Sequence, residues 1–149
     1  MQSLGGQLAH SLEGRTLILL TGELGAGKSV LVRALIHTLG FAGRVKSPTY
    51  TLVESYELAG AVSGISRIAH LDLYRLSDPE ELEYLGIDDI MDNHELVLIE
   101  WPEKAGDRLP AEHICIQIAY AGDEIRQVDI NSSYPSLLNK DLAFTQEPS

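Results

Sequence analysis

Gly22-Glu23-Leu24-Gly25-Ala26-Gly27-Lys28-Ser29 matches the pattern G-x-x-x-x-G-K-[ST] at every fixed position. No other stretch constrains the fold so strongly, because the pattern works only as a turn between a buried strand and a helix N-terminus. The glycines let the backbone wrap close to a polyphosphate, with successive N–H groups turned inward at anionic oxygens. Lys28 brings positive charge to the outer phosphates, and the Ser29 hydroxyl suits a magnesium ion. The backbone from Glu23 through Val30 is accordingly the expected nucleotide cradle. Both flanks agree. Thr16-Leu17-Ile18-Leu19-Leu20 carries an aliphatic run fit for a buried parallel strand. Val30, Leu31, Ala34, Leu35 and Leu39 then recur at helical spacing before Gly40. A glycine-rich turn that binds nothing is the competing reading, and the strand, turn, helix order counts against it.

Charge bears on what such a loop can serve. The 149 residues, one domain by length, include 22 acidic and 11 basic side chains, a net charge of −11. That balance opposes autonomous binding to a nucleic acid backbone, which needs clustered Lys and Arg. An acidic chain that holds a polyphosphate must concentrate positive potential locally, and the loop with Lys28 does so. The single Cys115 excludes a disulfide within the chain and reads as a small core residue, which fits a reducing cytoplasm. No apolar run is long enough to span a bilayer and no signal-peptide pattern is present, so a cytoplasmic protein without membrane partners is expected. The five histidines lack metal-ligand spacing, so no transition-metal site is expected.

Further along, Leu4, Leu8 and Leu12 predict a short amphipathic helix ahead of the first strand. Residues 50–58 and 65–73 read as strands joined by a turn at 60–64. Asp78-Pro79-Glu80-Glu81 is a helix start, with Gly86 as its stop and a weaker helical stretch at 87–91. Leu96-Val97-Leu98-Ile99 is a buried strand, and residues 114–119 and 125–130 flank a hairpin turn. From about Ser132 a short helix and a polar tail are expected. Together these elements predict a P-loop NTPase-like three-layer α/β sandwich, with a mixed, mainly parallel sheet and an antiparallel C-terminal hairpin. The nucleotide should sit at the carboxyl ends of the central strands.

Two carboxylates follow apolar strands: Asp72 after Ile68-Ala69-His70-Leu71, and Glu100 after Ile99. Magnesium between phosphates needs hard oxygen ligands and keeps several waters. Ser29 plus one strand-end carboxylate is a sufficient protein contribution, and the other carboxylate would orient or polarise the attacking water. Spacing leaves open which is nearer the metal, and an exposed strand-end charge is the plainer alternative for each. Thr49, in Ser47-Pro48-Thr49-Tyr50-Thr51, stands where phosphate-loop switches place a hydroxyl that senses the terminal phosphate; an ordinary loop is the rival. Trp101 either packs on a base or ribose or covers the core, and Arg75 either meets phosphates or a partner or makes a structural ion pair. Asn139-Lys140-Asp141 lacks the spacer of a guanine-reading element and does not support a GTPase.

These segments together closely resemble the TsaE (YjeE) family of bacterial ATPases, which serve threonylcarbamoyl-adenosine modification of tRNA. The matching blocks are residues 22–29, Val45-Lys46-Ser47-Pro48-Thr49-Tyr50-Thr51-Leu52-Val53-Glu54, His70-Leu71-Asp72-Leu73-Tyr74-Arg75-Leu76, Asp78-Pro79-Glu80-Glu81-Leu82-Glu83 with Gly86-Ile87, and Val97-Leu98-Ile99-Glu100-Trp101-Pro102. The resemblance implies an accessory ATPase using Mg2+ with ATP, in a complex with the TsaB and TsaD proteins. There the partner modifies the adenosine beside the anticodon, so tRNA contact is indirect. By motif, Ser29 and Glu100 would be magnesium-side residues, Lys28 the phosphate lysine, Asp72 a residue needed for hydrolysis, and Thr49 part of a nucleotide-sensing loop. The family pattern has a nucleotide-binding threonine near the position of Met1, and the sequence departs from it there. Downstream of Pro110 no motif carries residues over.

The function expected is ATP binding and slow Mg-dependent hydrolysis coupled to a protein complex. A small-molecule P-loop kinase is the first rival, but it usually needs an arginine-rich lid that this chain does not display. A nucleotide-dependent binding switch with negligible catalysis is the second.

Overall fold

The aliphatic run before the phosphate loop forms β1 (Thr16–Gly22), and every other strand is arranged around it. The computed structural model describes residues 2–12, 14–48, 51–62, 64–122, 125–134 and 144–146. Among them the strands are β2 (Val53–Val62), β3 (Ile65–Asp72), β4 (Leu96–Glu100), β5 (Ile114–Gly122), β6 (Ile125–Ser132) and β7 (Phe144–Gln146). They form one seven-stranded sheet in the order β2-β3-β4-β1-β5-β6-β7. β3, β4, β1 and β5 run parallel, while β2 and the β6–β7 pair are antiparallel additions at the two edges.

Strand alternation splits the core in two. Ile18, Leu20, Leu96, Leu98, Ile114 and Ile116 face the helices α1 (Gln2–Ser11) and α2 (Lys28–Thr38), which contribute Leu4, Leu8, Leu31 and Leu35 to the same cluster. Leu17, Leu19, Val97 and Ile99 point the other way. They pack on α3 (Glu81–Leu85), α4 (Ile87–Asn93) and a 3-10 turn at Pro102–Ala105. A strand buried on both faces must be apolar at successive positions, which is why β1 and β4 read as continuous aliphatic runs. The three layers follow from that pattern.

The strand boundaries depart from expectation at two places. Gly60 lies inside β2 rather than in a turn, because the hairpin to β3 closes at Val62 and Ile65 after a register shift beyond Glu57. The antiparallel partner carries residues that local composition reads as a turn. Residues 144–146 are not tail: they pair with Arg126, Gln127 and Val128 of β6. The helix expected after Ser132 falls mostly on 135–143, outside the described residues, as does Asn139-Lys140-Asp141.

Glu95 ties the starts of β3 and β4 together. Its Oε1 accepts the Ser66 N–H and Ser66 hydroxyl at 2.8 Å each and the Arg67 N–H at 2.9 Å. The Ser66 hydrogen bonds hold its carboxyl below the usual glutamate range, with smaller help from Arg67 and from the charge of Arg15. A depressed carboxyl contributes stability above its unfolded value and loses it as pH falls through the folded one. Glu95→Gln is therefore expected to be less stable near neutrality, with a shallower loss of stability on acidification below about pH 4.5. Chemical denaturation at a series of pH values checks both halves.

Candidate functional site

Between β1 and α2 the chain turns through backbone conformations that glycine adopts readily, with Gly25 at φ 79° and Gly27 at φ 114°. Ala26 plugs the loop into the core at 1% exposure, its N–H donating to Glu23 O at 3.1 Å. Gly27 caps α2 without a side-chain hydrogen bond, so the first amides of the helix remain as donors at its positive end. Lys28 opens the helix and turns inward. Its ammonium donates to Gly22 O and sits 3.7 Å from the centroid of the Trp101 ring.

The strand order brings the rest together. β3 and β4 are neighbours in a register that sets Asp72 opposite Glu100, and β1 lies on the other side of β4. Both carboxylates therefore emerge at the carboxyl edge beside Lys28. Ser29 Oγ donates to Glu100 Oε1 at 3.3 Å, and Glu100 Oε2 lies 2.6 Å from His70 Nε2. Asp72 Oδ1 accepts the Tyr74 N–H at 3.0 Å. His70, Asp72, Glu100 and Lys28 are 2, 9, 3 and 5% exposed, an unusual density of buried ionisable groups.

Their electrostatics follow from burial. Desolvation lowers the affinity of Lys28 for its proton, and Glu100, Glu103 and Asp72 pull it partly back. Desolvation raises Asp72 above the usual aspartate range, and Glu100 adds to the rise. The Tyr74 N–H, His70 and Lys28 oppose it. Asp72 thus holds a proton more readily than an exposed aspartate does.

A cleft of about 340 Å3 opens here, within the range of small-ligand sites. Of the sequence-predicted residues, Leu24, Gly25, Gly27, Lys28, Ser29, Val30, Asp72, Glu100 and Trp101 line it. Glu23 lines a neighbouring cleft with Thr21, and Ala26 is buried beneath the loop. Ser47 and Arg75 also line the main cleft. Thr49 lies outside the described residues. The segment that follows it is tied to the site, because Leu52, at φ 67°, accepts the Asp72 N–H at 3.1 Å. Trp101 packs against the core cluster of Leu17, Leu19, Val97 and Ile99, as core cover would, and its ring also lies 3.7 Å from the Lys28 ammonium and 5.0 Å from the Tyr74 ring.

Sequence reading passed over His70 as a functional residue. Its signal was available: in a strand, His70 and Asp72 share a face. What needed the structure was the neighbouring strand that carries Glu100. The donor set suited to a hard cation is Ser29 Oγ with the Glu100 carboxylate. Among the described residues no cluster of three or more His, Cys, Asp or Glu side chains converges on a metal position. No described helix is long and apolar enough to cross a membrane.

Comparison with known proteins gives a family and a fold. A family model described as "Threonylcarbamoyl adenosine biosynthesis protein TsaE" matches residues 1–128. The Haemophilus influenzae tRNA threonylcarbamoyladenosine biosynthesis protein TsaE is 46% identical over 118 residues, covering 79% of this chain and 71% of the relative. The Bacillus subtilis protein of the same name is 34% identical over 112 residues, 75% of this chain and 66% of that one. The crystal structure of Bacillus subtilis YdiB superposes with a TM-score of 0.70 at 25% identity, covering 88% of this chain and 77% of that one. A shared fold, a family match across most of the sequence and relatives at this identity lead to one assignment: the chain belongs to the TsaE family.

Proposed function

We propose that this chain binds ATP with Mg2+ and hydrolyses it slowly, as an accessory subunit of tRNA threonylcarbamoyladenosine formation beside TsaB and TsaD in the cytoplasm. The observation that carries the reading is the convergence of Lys28, Ser29, Asp72 and Glu100 at the carboxyl edges of adjacent parallel strands, against the N-terminus of α2. The residues fit magnesium because Ser29 Oγ and Glu100 Oε1 present two hard oxygens to the same cleft. Magnesium, when bound with ATP, supplies positive charge to the phosphate oxygens. Lys28 and the loop amides hold the polyphosphate, and Ser29 with Glu100 hold the metal side. His70 orients Glu100 through its 2.6 Å contact. Asp72, whose proton affinity is raised by burial, orients the attacking water and takes its proton. The net charge of −11 leaves tRNA contact to the partners.

Asp72→Asn is expected to keep ATP affinity within about threefold while hydrolysis falls by about 10²-fold. A Michaelis analysis separates the two quantities. Trp101, the only tryptophan, lies against Lys28 and reports binding directly. Titration with Mg·ATP should change its emission, and absence of any change together with no calorimetric binding would reject the nucleotide reading. Hydrolysis by the purified chain at a rate that TsaB and TsaD cannot raise would reject the coupling. Phosphate transfer to an acceptor other than water would instead favour the kinase. An Asp72 variant that binds ATP, fails to hydrolyse it and still supports tRNA modification would favour the switch.

A further inference from the structure

Downstream of Pro110 the sequence carries no recognisable motif, yet the β5–β6 hairpin touches the back of the phosphate loop. Tyr120 and Arg126 are cross-strand partners. The Arg126 guanidinium carbon lies 4.1 Å from the centroid of the Tyr120 ring, so the pair is stacked. Arg126 Nε–H donates to Ala26 O at 3.1 Å, and the Tyr120 hydroxyl donates to Leu24 O at 3.4 Å. A Cβ placed on Gly25 would stand 3.0 Å from that hydroxyl, which measures how closely the hairpin abuts the loop. Neither side chain lines the cleft itself.

The two carbonyls they engage are alternate ones along the loop. In a trans peptide the C=O of one residue and the N–H of the next point in opposite directions. Drawing Ala26 C=O toward Arg126 therefore directs the Gly27 N–H the other way. Drawing Leu24 C=O toward Tyr120 does the same for Gly25. Both glycines line the cleft. Glycine backbone is the most permissive in the chain, so this orientation needs an external hold. The stack on Tyr120 restrains the guanidinium, which lowers the entropy lost on making the bond.

We propose that Arg126 and Tyr120 are positioning residues for the phosphate loop, holding the Leu24 and Ala26 carbonyls outward so that the Gly25 and Gly27 amides face the phosphates. The proposal rests on the reading of this cleft as the ATP site. Arg126 acts through the loop backbone and touches no phosphate.

The test combines Mg·ATP and Mg·tripolyphosphate affinity by calorimetry with the Gly25 and Gly27 amide resonances of the nucleotide-free chain. Arg126→Ala is expected to weaken both ligands about tenfold, in parallel, because the effect is on phosphate and not on the base. It should also move both amide resonances. Arg126→Lys, which keeps the charge but loses the planar stack, should fall between alanine and wild type. Tyr120→Phe keeps the ring and should weaken binding no more than about twofold, while moving the Gly25 resonance more than that of Gly27. Wild-type affinity in Arg126→Ala, or a loss confined to ATP, overturns the proposal. Should Arg126→Ala unfold, the graded Arg126→Lys and Tyr120→Phe variants carry the same comparison, and wild-type affinity and amide positions in both overturn it. Failure of the wild-type chain to bind Mg·ATP counts against the ATP reading instead. The amide resonances then decide the positioning alone, and unchanged Gly25 and Gly27 signals in Arg126→Ala overturn it.

Discussion

Lys28→Ala is expected to lower kcat/KM for ATP hydrolysis by about 10³-fold, or about 4 kcal/mol of transition-state stabilisation. Lys28 is the only cation that the phosphate-loop motif itself places in the cleft, and it is held there from three sides. Gly22 O accepts its hydrogen bond, the Trp101 ring covers it at 3.7 Å, and Glu100, Glu103 and Asp72 surround it with negative charge. Taking the ammonium away removes a charge-assisted donor from an enclosed site, where such donors act most strongly. It also removes a positive charge that offsets Asp72 and Glu100, which opposes the approach of a polyphosphate. Lys28→Arg should not rescue, because the pocket formed by Gly22 O and the Trp101 face is matched to a compact ammonium rather than a planar fork. Thermal unfolding should move little by comparison, since burial already weakens the charged form of Lys28. Steady-state kinetics with both variants, beside an unfolding curve, tests the claim; near-normal turnover in Lys28→Ala would remove the lysine from the mechanism.

The largest expected loss of stability follows Gly22→Ala. Gly22 ends β1 opposite Ile118 of β5, with φ at 149°. A Cβ there would stand 2.5 Å from Ile118 O, a backbone atom of the neighbouring parallel strand. Neither partner can yield cheaply, because Ile118 is 1% exposed and anchored in the sheet. Backbone strain and steric displacement together should cost about 3 kcal/mol, equivalent to a fall of roughly 6–12 °C in Tm. Nucleotide affinity should fall with it, since the Gly22 carbonyl is the partner of Lys28. Gly6 supplies the control. It lies within α1 with nothing within 4 Å of its would-be Cβ, so Gly6→Ala should be neutral or stabilise by about 0.5–1 kcal/mol. Differential scanning calorimetry on the pair distinguishes local crowding from a general intolerance of glycine replacement.

Local patterns carried much of this protein. The strand, loop and helix around residues 22–29 could be read directly, because the loop pattern and the helical period are properties of neighbouring residues. The same holds for α1 and for Gly86 at φ 73° closing α3, whereas the helix start expected at Asp78 falls later: Asp78 Oδ1 accepts the Glu80 N–H at 2.9 Å in a turn, and α3 begins at Glu81. Residues 60–62 and 144–146 were misread for the opposite reason. Their strand character comes from pairing, Val62 with Ile65 across the hairpin and 144–146 with β6, and neither composition nor period announces it.

By itself, then, the sequence determined that a phosphate loop stands between a buried strand and a helix, and that Asp72 and Glu100 end apolar strands. Five ordered blocks tied those features to one family. Only the tertiary structure decided that His70 grips Glu100, that Trp101 lies over Lys28, and that Arg126 and Tyr120 brace the loop from behind. Each of these contacts crosses between elements far apart in sequence. Their proximity follows from the strand order, which sets β3 beside β4 and β1 between β4 and β5, a consequence of how both faces of the sheet bury apolar surface at once.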